Sequence, residues 1–341
     1  MVFGQCFCAC LALVLMGLLG MAEGQTHGSC KNKVIVDPAS SGTGHFKTIQ
    51  SAVESVPSQN RNWVCINIKA GVYSSCREQV NIPLDKPFIY LQGEDRLKTT
   101  VVWGASGSIV TSATFITHAE NVVVKSITFT NSFNYPPETQ GHNGAKVAPA
   151  AMIAGDKSAF YDCGFVGFQD TLFDDHGRHY FKLCTIQGAV DFIFGAGQSI
   201  YEGCTITSVA SKERKGVPGV ITAQGRSDPK DSSGYVFKNC SVVGTSQTTL
   251  GRAWRDYARV LFFESFLSNS VVPEGWTAWE HAGQEVLPTF AEHGCRGPGS
   301  DSSKRVKWES QLSPAALSSL TSMSFIDSDD WISHQPFNML A

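Results

Sequence analysis

One local pattern recurs through the middle of the chain and restricts its fold more than any other feature. FYDCGF at 160–165, FKLCTI at 181–186, YEGCTI at 201–206 and FKNCSV at 237–242 each place an aromatic residue three before a cysteine and an apolar residue one or two after it. Cys163, Cys184, Cys204 and Cys240 therefore follow one another at steps of 21, 20 and 36 residues. VVVKSITF at 122–129 is a weaker copy without the cysteine, and FFESFL at 262–267 follows the series. A period near 20 means one supersecondary unit per repeat, stacked so that each covers the apolar face of the next. Leucine-rich repeats share the period, but their Leu-x-x-Leu-x-Leu framework is absent, and each unit reads as short β-rich runs broken by Gly, Asn, Asp or Ser. The expected fold is all-β, a single-domain right-handed parallel β-helix. The 36-residue step is expected to hold one coil plus an insertion in the polar stretch 212–233. Stacked coils would place Cys163, Cys184 and Cys204 in an interior ladder about 4.8 Å apart.

Composition agrees. A formal charge of −3, 42% apolar and only 17% charged residues exclude a disordered chain, a basic nucleic-acid binder and a coiled coil. The open ends of a solenoid need covers. Thr48 can cap a short helix whose Ile49, Ala52, Val53 and Val56 share one face and which stops at Pro57; Ser313-Pro314 opens a second over 315–320. Both are expected to be end caps, and no linker divides the chain.

The first 24 residues carry an apolar run at 11–19 and end in Ala22-Glu23-Gly24, a small-x-small pattern, which reads as a secretory signal cleaved near Gln25. The run is shorter than the roughly 20 residues that span a bilayer, so residues 25–341 are expected to be secreted as one domain with no membrane contact. Removing Cys6, Cys8 and Cys10 with the signal leaves eight of the 11 cysteines in an oxidising compartment. Cys163 and Cys184 are expected to be buried and inert. Cys204 and Cys240, flanking the insertion, are the expected disulfide.

The repeat phase also sorts the acids. Asp170, in GFQDTL, lies seven residues after Cys163, and Asp191, in AVDFIFG, seven after Cys184. Equal phase puts the carboxylates one above the other on successive coils. Two that close cannot both ionise freely, so one becomes a proton donor while the other remains an anion. In LGRAW (250–254), Arg252 can hold the anion, and Trp254 offers a flat surface on which a sugar can stack.

These residues resemble a family of carbohydrate esterases, the pectin methylesterases or pectinesterases. The resemblance runs from Val34 to Trp331 and includes VDPASSGTGHFKTIQSAVESVP (36–57), SAFYDCGFVGFQDTL (158–172), GAVDFIFG (188–195), TAQGR (222–226), LGRAW and GW (275–276). It implies that Asp191 is the nucleophile attacking a galacturonate methyl ester, that Asp170 is the general acid and then the general base, and that Gln169 donates to the oxyanion. Arg252 and Trp254 become substrate-binding residues. No metal and no cofactor are implied. The substrate would be methylated homogalacturonan in the cell wall; the protein would be a monomer, with room for proteinaceous pectinesterase inhibitors as partners and no nucleic acid. No N-terminal inhibitor-like region is expected.

The sequence departs from the family at three places. Val147 stands where a glutamine usually supplies another oxyanion donor; GVYSSCRE carries extra residues at 74–76 before Glu78; and Ala253 replaces a common proline. In a straight strand Gln169 and Asp170 would also face opposite sides, so the site requires a bend there. Two alternatives stay open: a pectin-binding protein with weak or no activity, motivated by Val147, and a β-helix glycoside hydrolase of the polygalacturonase type, which also uses paired carboxylates. Asp174, Asp175, His176 and His179 read as a polar turn beside the dyad rather than a metal site. Gly42-x-Gly44 lacks the context of a nucleotide loop. The sequon at Asn239 lies on a repeat strand and is not expected to be glycosylated.

Overall fold

The computed structural model describes residues 28–39, 42, 44–74, 78–133, 146–210 and 216–337; the expected signal, Cys76 and most of the expected insertion at 74–76 lie outside them. The chain winds as a right-handed parallel β-helix. Each complete coil contributes one strand to each of three parallel sheets. Among the described residues, sheets 2 and 3 have eight strands each and sheet 1 has 11, the extra ones lying at its two ends. Residues one repeat apart are register partners: Phe160, Phe181, Tyr201, Phe237 and Phe262 form one row of sheet 1. That row is the aromatic position of the sequence repeat. Four of its rings stack at centroid distances of 4.5 Å, and Phe160 lies 5.1 Å from Phe181. Stacked aromatic pairs add roughly 0.5–1.5 kcal/mol each beyond their buried area, so the repeat is a column of core rings.

The cysteine position follows from the corner after sheet 1. Ser126, Asp162, Leu183, Gly203, Asn239, Glu264 and Gly294 all have left-handed backbone, with φ between 50° and 64° apart from Asp162 at 49°. Each turns the chain from sheet 1 into sheet 2 with a single residue. The next side chain points into the coil interior, a place taken by Ile127, the four repeat cysteines and Ser265. Cys163, Cys184, Cys204 and Cys240 are buried and donate their S–H groups to the carbonyls of Val124, Phe160, Phe181 and Tyr201 on the preceding coil, at 3.3–3.5 Å. Burial pushes the first three thiols well above the ordinary cysteine range. The expected disulfide between Cys204 and Cys240 does not form: both thiols are free, aligned in parallel and bonded down the column. The corner also moves Asn239 off the strand and into solvent.

Among the described residues the disulfide is Cys30–Cys65, which links the segment before the first strand to strand Val64–Ile68 over a separation of 35 residues. Closing a loop of that length contributes about 3–4 kcal/mol in the chain-entropy model. Cys65→Ala is expected to lose that amount in urea denaturation, with reductant reproducing the loss in the wild type and changing nothing in the variant.

The residues from 212 to 233 are only partly an insertion, because they contain the sheet 3 strand Gly219–Gln224; the extra length is split between the connections on its two sides. Helix α1, Ile49–Ser55, is capped by Thr48 and covers the first coil with Ile49, Ala52 and Val53. Buried Glu78 accepts the Ile49 and Gln50 N–H groups at 2.7 and 3.2 Å, anchoring the start of α1. The second helix, α2 (Pro314–Thr321), is capped by Ser313 as expected but is not an end cap. With the rest of the C-terminal segment it lies on the outer face of sheet 1, where Leu320, Ile326, Trp331 and Phe337 meet Tyr90, Tyr161, Tyr180 and Val236. The far end is closed instead by Val306 and Trp308. Arg305 locks that cover, donating twice to Glu292 and to the carbonyls of Val272, Pro273 and Gly299.

Candidate active site

Asp170 and Asp191 each stand two residues before a sheet 3 strand, Leu172–Asp174 and Ile193–Gly195, whose first residues Leu172 and Ile193 are register partners. Gln169 bridges Val190 in the same register, and the Asp170 N–H donates to the Val190 carbonyl at 3.0 Å. The acids are therefore stacked on adjacent coils, as their equal phase requires. The bend demanded by Gln169 and Asp170 is present: Asp170 has φ 59° and Asp191 φ 48°. A left-handed residue reverses the alternation of a strand, so Gln169 and Asp170 can address one side. Aspartate adopts this conformation more readily than most residues, at a cost of about 1 kcal/mol.

Both acids are largely shielded from water: Asp170 is 9% exposed, and the Asp191 side chain 14%. Arg252, at the outward row of strand Thr248–Ala253, reaches back across strand Gly219–Gln224. Its Nε donates to Asp191 Oδ1 at 2.8 Å and its Nη2 to Asp191 Oδ2. A bidentate guanidinium fixes the carboxylate plane. Asp170 receives no such partner among the described residues. Burial raises its pKa, the nearby Asp191 charge raises it further, and Arg252 offsets part of the rise, leaving it at about 7. The Gln169 side chain is half-buried, and its amide has no hydrogen-bond partner among the described residues.

The outward row of sheet 3 runs Met152, Phe173, Phe194, Ala223, Arg252. Phe173 and Phe194 stack at 4.5 Å, and the half-buried Trp254 leans on both at 6.4 and 6.0 Å. Trp279 lies with its ring 3.8 Å from the Arg252 guanidinium and is 40% exposed. Sequence reasoning missed Phe173, Phe194 and Trp279. The two phenylalanines share their phase, which marks them as one row; the second tryptophan of GWTAW was the available signal for Trp279.

Val147 is half-buried beside this strand. Its carbonyl accepts the Gly107 N–H at 2.9 Å, and the adjacent Ala148 N–H lies 3.5 Å from the Gln169 carbonyl. The backbone at 147–148 thus runs beside that of Gln169. Ala253 is buried at the end of its strand. The run from 174 to 179 is not the single polar turn expected. Asp175 and His176 pair in the turn at 2.7 Å, whereas Asp174 and His179 point into the core, paired at 2.5 Å, and the Tyr201 hydroxyl donates to Asp174 at 2.6 Å.

Residues 33–329 match the Pectinesterase family. The chain belongs to that family. It is 49% identical over 331 residues to "Probable pectinesterase 29" of Arabidopsis thaliana, covering 97% of each chain. It is 50% identical over 308 residues to "Probable pectinesterase 55" of the same plant, covering 90% of this chain and 92% of that one. Among solved structures, pectin methylesterase from carrot aligns with a TM-score of 0.79 at 30% identity, over 89% of this chain and 97% of the other. A pectin methylesterase in complex with a hexasaccharide aligns at 0.72 and 25% identity, over 88% and 98%. As a pectinesterase the chain is a carboxylic ester hydrolase that demethylesterifies pectin, and nothing in these matches favours the glycoside-hydrolase alternative.

Proposed function

We propose that Asp191 and Asp170 carry this hydrolysis as nucleophile and proton-transfer group. One observation supports the division of roles above the others: Asp191 is held by two hydrogen bonds from Arg252, while the Asp170 carboxyl, one coil away, has no such partner among the described residues and a pKa near 7. An Asp191 oxygen attacks the ester carbonyl carbon, and the carbonyl electron pair moves to oxygen, where the Gln169 amide donates. Protonated Asp170 passes its proton to the methoxy oxygen as that bond breaks, and methanol leaves. The ionised Asp170 then takes a proton from water as the water oxygen attacks the acyl carbon of the acyl-enzyme anhydride; the bond to Asp191 breaks, Asp191 returns as a carboxylate, and the new galacturonic acid carboxyl gives its proton to solvent. Phe173, Phe194, Trp254 and Trp279 form the wall against which the sugar rings lie. Incubation of the purified protein with methylated homogalacturonan is expected to release methanol without new reducing ends. Reducing ends without methanol would transfer the dyad to glycosidic chemistry.

Val147 bears on rate. A glutamine at 147 would start beside the Gln169 segment and add a second amide donor to the oxyanion. Removing one such donor elsewhere costs about 10²–10³-fold, so Val147→Gln is expected to raise kcat by up to about 10²-fold with KM little changed, since the bond forms mainly in the transition state. Unchanged kcat would show that the donor has been replaced by another group.

The apolar run at 11–19 and the plant relatives together support secretion to the cell wall, with 25–341 as the mature catalytic domain acting as a monomer. Among the described residues no helix is long and apolar enough to cross a membrane.

A further inference from the structure

The two tryptophans beside Arg252 belong to different segments. Trp254 continues directly from strand Thr248–Ala253, whereas Trp279 sits in the 3-10 turn Trp279–His281, on a stretch that has left the sheets. The backbone bonds that follow are local: His281 to Ala278, Gln284 to His281, Leu287 to Gln284. Trp279 itself has φ 48°, a conformation that a bulky residue keeps only when its surroundings impose it. Among the described residues, one side-chain hydrogen bond joins 278–287 to another segment: His281 Nε2 to Asp256 Oδ1 at 3.1 Å. Asp256 lies two residues after Trp254, with its side chain 59% exposed. His281 is turned inward toward Ala253, Phe290 and Trp308, with 11% of its side chain exposed. Its Nδ1 is buried without a hydrogen-bond partner among the described residues. A hydrogen there would be an unsatisfied buried donor, so the hydrogen belongs on Nε2, which donates to the Asp256 carboxylate.

We propose that His281 is a positioning residue for substrate binding, whose bond to Asp256 ties the Trp279 turn to the Trp254 loop and sets the aromatic wall around Arg252 before a sugar arrives. The proposal rests on the reading of that wall as substrate-facing. Neither His281 nor Asp256 takes part in the two bonds from Arg252 to Asp191, so the chemical step is expected to be spared when the tether is cut. Without the tether the turn must be ordered when substrate binds, and that ordering subtracts from affinity.

The test measures methanol release and, separately, calorimetric binding of demethylated oligogalacturonate, which has no ester to hydrolyse. A net hydrogen bond of ordinary strength corresponds to a change of about 3- to 10-fold in an equilibrium constant. His281→Ala and Asp256→Ala are each expected to raise KM and the oligogalacturonate Kd by that factor, with kcat within about twofold of wild type. The double variant should be no worse than either single one. His281→Gln, which can still donate to Asp256, should recover most of the affinity, and His281→Ala in a Trp279→Ala background should change nothing further. Asp256 is exposed, so its variant remains informative if a His281 variant folds poorly. Additive single effects, a fall in kcat at unchanged KM, or unchanged affinity in both assays would each overturn the tether. Absence of methanol from the wild type would count against the esterase roles alone, because the binding arm still decides the proposal.

Discussion

Asp191→Asn is expected to fold normally and to release methanol at least about 10⁴-fold more slowly than the wild type, the scale of loss when a nucleophile acting within a catalytic unit is removed. The shape at 191 is kept, but the amide oxygen is a poor nucleophile, and its NH₂ group would face the Arg252 guanidinium, donor against donor. Arg252 would lose its carboxylate while retaining its stack on Trp279. The measurement is methanol release per folded molecule, with folding followed by circular dichroism. Turnover within tenfold of wild type would remove Asp191 from the nucleophile role, whatever happens to binding.

Asp170→Asn should lose about 10²–10⁴-fold in turnover, the usual range for a general acid–base group, and should gain stability at alkaline pH. The native-state pKa of about 7 lies above the 3.8 of a free aspartate, so the folded protein holds this proton more tightly than the unfolded chain does. That contribution is complete below about pH 4 and is lost as pH rises through about 7. At pH 8 the wild type folds with a buried anion beside Asp191, and the asparagine variant does not. A gain on the order of 2–4 kcal/mol follows, read as a shift in the urea midpoint at pH 8 that shrinks toward pH 4. The same titration governs turnover: kcat/KM of the wild type should fall along an alkaline limb centred near pH 7 as the donor loses its proton. A limb that persists unchanged in Asp170→Asn would assign the titration to another group.

The sequence carried the fold well because the fold is periodic. Phe181 and Cys184 could be aligned with Tyr201 and Cys204 by counting, and counting from the same cysteines stacked Asp170 on Asp191. Features outside the period were not legible in the same way. The bend at Asp170 is a backbone conformation that aspartate shares with many turn residues, so only the need for it could be stated. Cys163 and Cys184 were legible as interior thiols from the repeat, but Cys204 and Cys240 looked like a disulfide because they flank the long step, although they hold the same interior position as the other two; Cys30 and Cys65, outside the repeat, had no pattern to join them. The short helix after Pro314 carries the same amphipathic signal whether it covers an end or a flank. Trp279 reaches the site from a turn whose course no periodicity describes, and the Asp174–His179 pair turned inward where charge alone suggested an exposed loop.

The C-terminal segment across sheet 1 changes what kind of folding unit this molecule is. A bare stack of coils interacts only between neighbours, so its end coils can fray one at a time at little expense to the rest. Here helix α2 meets strand Gly234–Lys238, Asp329 pairs with Arg178 and Lys157, the Tyr161 hydroxyl donates to Gln335, and the Trp63 indole donates to the carbonyl of His334. One continuous stretch thus touches coils from the second half of the solenoid back to the first. Releasing an early coil strips its neighbours of this cover as well, so opening is shared along the axis and the transition becomes cooperative, with amide protection in the first coils rising to match the middle ones. It also imposes an order on biosynthesis. Tyr90 and Tyr161 receive Phe337, which is made more than a hundred residues after either, so the early coils leave the ribosome with an apolar flank bare until the segment through Phe337 has followed them.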